Sequence, residues 1–364
     1  MRQTTPSSGL FAAILLTMAT GAPALAQLPL APAALPGLRL APTALGRDVS
    51  LRGLSVVDDA VVWVSGTSGT IARSRDGARS FETRSPVELA DRDFRDIEGF
   101  DAQRAVALAV GAPARIVATS DGGASWHIVY RNERTESFLD GFDFWDDRRG
   151  IAFGDPLDGR FLILLTADGG ETWRELAVAA RPAAFPGEAA FAASGTSIRI
   201  LPGGVVAFGT GGVRSRVWVS EDYGASWSVR DAPLRQGPES AGLFSLAGHG
   251  TGARAEWLAV GGDYKQERER RDVAFVTRDR GRSWSAVVPP PGGFRSAVER
   301  LPHGGWITTG TTGTDVARSL KEGFRPLALD GWNAVRVAKR GTLVVLAGSG
   351  GRIARLLEEV PPTP

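Results

Sequence analysis

The chain has 364 residues, including 46 Gly, 22 Pro, 10 Trp and 16 Phe, a composition that suits many short strands joined by turns better than long helices. Forty-two Lys and Arg against 40 Asp and Glu leave a net charge of +2, so the bulk charge marks no nucleic-acid stripe and no nucleic-acid partner is expected. Cysteine is absent, which excludes disulfides, thiolate metal ligands, a cysteine nucleophile and a lipidated amino-terminal cysteine.

At the amino terminus Arg2 precedes an apolar run from Leu10 to Met18, and Ala24-Leu25-Ala26 forms an A-x-A cleavage pattern. This predicts a signal peptide over residues 1–26 and export to the periplasm or the extracellular space. The apolar run is shorter than the roughly 20 residues that span a bilayer, and no later segment crosses one, so no stable membrane insertion is expected after cleavage. Residues 27–43, rich in Pro, Ala and Leu, read as a linker that also offers an extended edge strand.

From residue 44 to 358 the chain repeats. Strand-like runs end at Gly66, Gly111, Gly154, Gly209, Gly261, Gly310 and Gly348, at intervals of 45, 43, 55, 52, 49 and 38 residues. Such spacing fits a unit of four short strands, and β-branched and aromatic runs bounded by Gly exclude the 3.6-residue periodicity of helical repeats. A second motif keeps register with the first. Ser74-Arg-Asp76-Gly-Ala-Arg-Ser-Phe81 follows the template Ser/Thr-x-Asp-x-Gly-x-Ser/Thr-Trp/Phe, with Ala78 where Gly is usual. Four further copies place their acids at Asp121, Asp168, Asp222 and Asp279. Each copy makes a hairpin turn in which the carboxylate accepts backbone N–H groups, glycine supplies positive φ and the aromatic packs between blades. The sixth repeat keeps only Ser319-Leu-Lys-Glu-Gly323 there.

The fold expected is an all-β, seven-bladed β-propeller of four-stranded antiparallel blades, with each first strand innermost. The last repeat ends its third strand near Leu357, and residues 359–364 read as a disordered Pro-rich tail. The missing fourth strand is expected from the amino-terminal segment around Leu38 to Leu45, which closes the ring and buries an edge that otherwise invites aggregation.

The first strands begin near Leu51, Phe94, Phe138, Phe191, Gly242, Phe294 and Trp332, and in a propeller these starts ring the central channel. The turns of the Ser/Thr-x-Asp motif lie on the other face. Arg52, Arg95 and Arg295 take equivalent slots, with Asn333 in the same slot of the last repeat. Three guanidiniums around one opening suit a carboxylate or phosphate, unless each pairs with an acid such as Asp96 or Asp140. Loops after the glycines vary most in length and add candidate partner-binding residues on the same face: Asp155, Asp158 and Arg160, Glu188 and Ser194, and Asp263 and Tyr264. The three histidines lie in different repeats without metal spacing, and no nucleophile elbow, phosphate loop or dinucleotide fingerprint appears. No metal, cofactor or catalytic residue is expected.

The seven repeats, the Asp-box (BNR) motifs and the phrase Ala-Phe-Gly-Asp-Pro at 152–156 make residues 45–357 resemble the photosystem II stability and assembly factor-like propellers. That resemblance implies an exported or lumenal, non-catalytic assembly propeller that holds a protein partner at an arginine-lined patch, here Arg52, Arg95 and Arg295. The expected partner is a protein or peptide with an acidic or carboxylate segment, and the expected state is a monomer. The sequence itself supplies no sign of photosynthesis. A sialidase-like or other glycoside hydrolase is the alternative, because those families share the Asp-box and sialidases hold a carboxylate with three arginines. Against it, no Phe/Tyr-Arg-Ile-Pro motif is present, and Tyr264 has Asp263 beside it where sialidases pair Tyr with Glu.

Overall fold

The computed structural model describes residues 37–358. The expected signal peptide, the linker up to residue 36 and the tail at 359–364 lie outside the described residues. Seven antiparallel sheets follow one another, each with at least four strands. Their first strands are Leu51–Val56, Asp93–Gly99, Leu139–Phe144, Ile198–Leu201, Ala241–His249, Ala297–Arg300 and Ala334–Val337. Each first strand touches the first strand of the next sheet, and the seventh touches the first, so the sheets are the blades of a closed seven-bladed propeller.

The ring closes as the missing strand required. Leu38–Ala44 pairs antiparallel with Arg352–Glu358 over seven residues, from Leu38 opposite Glu358 to Ala44 opposite Arg352. Blade seven is therefore three carboxy-terminal strands and one amino-terminal strand. Leu38 and Leu40 pack on the cluster that joins blades six and seven, beside Val335, Leu346 and Ala354.

The core is divided among the blade interfaces. Leu54, Val64, Val345 and Ile353 join blades one and seven, and Trp63, Ile97 and Ala107 join blades one and two. Five further clusters serve the other interfaces. Alternate residues of each strand face opposite neighbours, so both faces of a blade are apolar.

The five turns of the Ser/Thr-x-Asp motif share one hydrogen-bond set. Asp121 accepts the Ser125 N–H at 3.0 Å on Oδ1 and the Ser125 hydroxyl at 2.6 Å on Oδ2, while the Thr119 hydroxyl donates to Oδ1 at 2.8 Å. Asp76, Asp168, Asp222 and Asp279 repeat it with Ser80, Thr172, Ser226 and Ser283. Ala78 keeps the turn by adopting φ of 61°, with its N–H donated to Ser74 Oγ at 2.9 Å. A left-handed residue with a Cβ costs about 1–2 kcal/mol, which the shared hydrogen bonds offset.

Candidate binding site at the channel mouth

The glycines that the repeat pattern reads as strand ends are where the site begins, although the second strands of blades three and five run on past theirs, to Leu157 and Asp263. A Cβ on Gly66, Gly154 or Gly261 would lie 2.2, 2.1 or 1.9 Å from a carbonyl oxygen at the start of the blade's first strand. Those close approaches accompany β-bulges. In blade one the ladder passes from Leu51–Gly66 to Gly53–Ser65, leaving Arg52 as the extra residue. The same shift leaves Arg95 extra in blade two, Asp140 in blade three and Phe244 in blade five. A bulge re-aims its extra side chain. All four bulged residues line one cavity of about 690 Å³ at the end of the channel where the first strands begin.

The floor of this cavity is a segment that the repeat pattern assigns to the inner strand of blade four. Phe191 to Ser194 does not start that strand, which begins only at Ile198. The segment instead crosses the channel mouth. Arg95 Nη1 donates to the Ala192 carbonyl at 3.1 Å and Arg52 Nη1 to the Ala193 carbonyl at 3.5 Å, while Ser194 Oγ donates to the Ser296 carbonyl at 2.7 Å. Gly195 permits the crossing, because a Cβ there would lie 2.1 Å from Asp96 Oδ1 of blade two and its φ is 69°.

One wall is cationic. Arg95 Nε pairs with Asp93 Oδ2 at 2.5 Å, whereas Arg52 has no carboxylate partner among the described residues and its Nε has no hydrogen-bond acceptor. Burial and the adjacent Arg95 both lower the Arg52 pKa, which marks a guanidinium held in a place where its charge is poorly compensated. It stays protonated at neutral pH, since arginine titrates far above it.

The opposite wall is aromatic. Phe191 stacks on Phe244 with centroids 3.8 Å apart, and Phe294 meets Phe244 edge-on at 4.7 Å. Tyr264, 43% exposed, borders Phe244 and Phe294. Between the walls lie two carboxyl groups. Asp140 is 1% exposed and Asp155 Oδ1 accepts the Ala190 N–H at 2.9 Å. Burial pushes both pKa values up, and for Asp140 the neighbouring Asp155 adds to the rise while Arg95 opposes it.

Six of the sequence candidates therefore meet in the cavity: Arg52, Arg95, Asp140, Asp155, Tyr264 and Asn333. Asn333 is held from behind, its amide donating to the Leu51 carbonyl at 2.8 Å and Ser50 Oγ at 3.1 Å. The other six do not line it. Arg295 is 1% exposed and its Nε donates to Asp315 Oδ2 at 2.7 Å, so a third-strand acid of its own blade turns it away from the opening. Glu188 is buried against Arg216 and Thr210, where it fastens the strand pair Glu188–Ala189 and Gly211–Gly212. Asp263 accepts from Ser240 Oγ at 2.7 Å and the Lys265 N–H at 2.8 Å. Ser194 is a buried floor anchor, Arg160 Nη1 donates to the Arg181 carbonyl at 2.7 Å, and Asp158 pairs with Arg134 at 2.6 Å on the exposed surface.

Sequence reasoning missed Phe191, Phe244 and Phe294 as site residues, although each stood at an inner-strand start. It also missed Glu239 and Glu267, both on the rim. Deeper in the channel it missed an ion network in which Arg199 Nη1 meets Glu299 Oε1 at 2.6 Å and Arg336 Nη2 donates to the Gly195 carbonyl at 2.9 Å. Buried Asp96, beneath that floor, is pushed up to about 7 by burial. Among the described residues no cluster of His, Cys, Asp and Glu has the makings of a metal site, and no helix is long and apolar enough to cross a membrane.

No protein-family profile matches the sequence, and no curated protein sequence does. Solved structures do resemble the fold. "YCF48 bound to D1 peptide" aligns with a TM-score of 0.66 at 14% identity, over 92% of this chain and all of that one. "YCF48 from Cyanidioschyzon merolae" aligns with a TM-score of 0.62 at 13% identity, over 87% and 98% of the two chains. "Streptogramin B lyase structure" follows with 0.61 at 12% identity, over 89% and 98%. The likeness is one of fold: this chain is a seven-bladed propeller built like the two YCF48 structures, the fold that the resemblance of its repeats implied.

Proposed function

We propose that the protein is an exported, non-catalytic binding propeller whose channel mouth holds a carboxylate-bearing peptide segment of a protein partner. One observation carries this reading. Two guanidiniums, Arg52 and Arg95, face one cavity with a single ionic partner, Asp93, between them. An incoming carboxylate supplies the missing counter-charge and takes bidentate hydrogen bonds, the geometry for which guanidinium is suited. The aromatic wall adds apolar contact for a side chain next to that carboxylate. A propeller of this fold solved with a D1 peptide supports peptide binding as a use of the scaffold. Export rests on the amino-terminal pattern of residues 1–26.

The glycoside hydrolase alternative draws on Asp140 and Asp155 sharing the cavity. A hydrolase needs one protonated and one ionised carboxyl across the bond, and burial drives both of these the same way. The binding reading is tested on an array of acidic hexapeptides, each present with a free carboxyl terminus and as the amide. Wild-type protein is expected to retain members of the array, and the Arg52→Gln/Arg95→Gln variant to lose them at a temperature where circular dichroism shows it fully folded. Equal retention by the variant sinks the reading.

A further inference from the structure

Asp140 has a feature that cavity binding alone does not require. Its side chain is 1% exposed, it borders the cavity, and neither carboxyl oxygen has a hydrogen-bond partner among the described residues. The nearby Asp155 N–H faces Asp140 and favours its charged form, but it makes its own hydrogen bond to the Phe138 carbonyl at 3.0 Å. A buried carboxyl left so is costly unless a ligand completes it, because each unmet polar group forfeits its hydration. The groups that act on it are Asp155 from the second strand of its own blade and Arg95 from blade two, and Arg95 is already engaged by Asp93. The floor segment opposite offers the Ala190 N–H, which Asp155 takes.

We propose that Asp140 touches the ligand as a neutral carboxylic acid, donating its O–H to an oxygen of the same peptide carboxylate that Arg52 holds, so that the site selects for ligand acceptors and its affinity is linked to a proton. The inference rests on the carboxylate-binding reading and adds the chemistry of the third contact. Burial beside Asp155 favours the neutral form, and a neutral acid is the one state of Asp140 that a ligand anion can approach without repulsion. An ammonium ligand is disfavoured, since it would lie beside two guanidiniums to reach the same oxygens. Asp140 is thus a donor placed beside the cationic wall, doing what arginine cannot: distinguishing ligands by proton state.

The experiment follows binding of the retained free-carboxylate hexapeptides across a pH series from the acid side of neutrality upward, by fluorescence anisotropy. Affinity is expected to be level at the acid end and to fall as pH rises through the titration of Asp140, approaching about tenfold per pH unit, the limit for one linked proton. Asp140→Asn keeps a donor and cannot titrate, so its profile should be flat over the same range, and Asp140→Ala should bind more weakly throughout. If Asp140→Asn does not fold, Asp155→Asn serves: it removes the negative neighbour and should move the fall to lower pH. Retention with a flat wild-type profile overturns this proposal and leaves the carboxylate-binding reading standing. Affinity that rises with pH overturns it in favour of an amine ligand at ionised Asp140. Absence of any retained peptide at every pH overturns both.

Discussion

Arg52 and Arg295 hold the same slot of the repeat, yet the structure gives them opposite jobs, and the difference has a measurable size. Arg295 is 1% exposed and Asp315 2% exposed. The guanidinium Nε reaches Asp315 Oδ2 at 2.7 Å, while Nη1 donates to the Phe294 carbonyl at 2.7 Å and to Thr312 Oγ1 at 3.2 Å. In Arg295→Met the Asp315 carboxylate keeps only the Gly292 N–H at 3.3 Å. Breaking a buried pair by removing one partner costs about 3–5 kcal/mol, because the other charge stays buried without compensation. Replacing both partners, as in Arg295→Met/Asp315→Leu, should return most of that loss. The assay is urea unfolding followed by tryptophan fluorescence. With an m-value of about 3 kcal/mol per M, the single variant's midpoint should fall by about 1 to 1.7 M, and the double variant should recover most of it. Peptide retention at a urea-free, fully folded condition should survive in the double variant. The reasoning is refuted if Arg295→Met unfolds within about 0.5 kcal/mol of wild type, the range of ordinary surface changes, while losing peptide retention.

Three further outcomes follow from the same geometry. A chain beginning at residue 47 lacks the strand that covers Arg352–Glu358, so it should melt lower and associate through that bared edge; a synthetic 37–46 peptide should restore both properties, and unchanged melting would contradict the closure. Asp168→Ala removes the acceptor of two bonds from Thr172, so the unfolding midpoint should drop while peptide retention holds, the turn being on the far face; calorimetry and the array check the two halves. The turn carboxylates have folded pKa values below their unfolded ones, with Asp279 held at about 2 against 3.8 by its Ser283 and Thr277 hydrogen bonds despite the opposing effect of burial. Their contribution is complete above the unfolded value and is lost as pH falls towards the folded one, so unfolding free energy should decline between about pH 4 and pH 2. Asp279→Asn should flatten part of that decline.

The blades were legible because strands are local and their punctuation recurs: a glycine stands at or near the end of each second strand, and five turns carry the same carboxylate. Closure was legible too, since a third strand ending near Leu357 leaves an edge that something must cover. The site was half legible. Arg52 and Arg95 stood out by slot and Asp140 as an acid that could pair with them, and the reason the three share a cavity is a bulge that adds one residue opposite the partner strand. Sequence spacing cannot show which strand residue is the extra one. In blades one, three and five it showed the other half of the bulge instead, because Gly66, Gly154 and Gly261 lie where the first-strand backbone comes too close for a Cβ. Arg295 was misplaced because its partner, Asp315, lies in a third strand that the repeat pattern treats as core. The floor segment was misread as strand because Phe191-Ala-Ala-Ser194 has the composition of an inner-strand start, and only Gly195 against Asp96 reveals the crossing.

The claim at the centre is that Arg52 and Arg95 hold a peptide carboxylate in the channel mouth. A crystal structure of the protein with a retained hexapeptide tests it most directly. The ligand carboxylate should lie within hydrogen-bond distance of the Arg52 guanidinium, with an adjoining side chain against Phe244 and Tyr264. A peptide bound on the Asp-box face, or in the cavity with its carboxylate turned away from both arginines, would contradict the account.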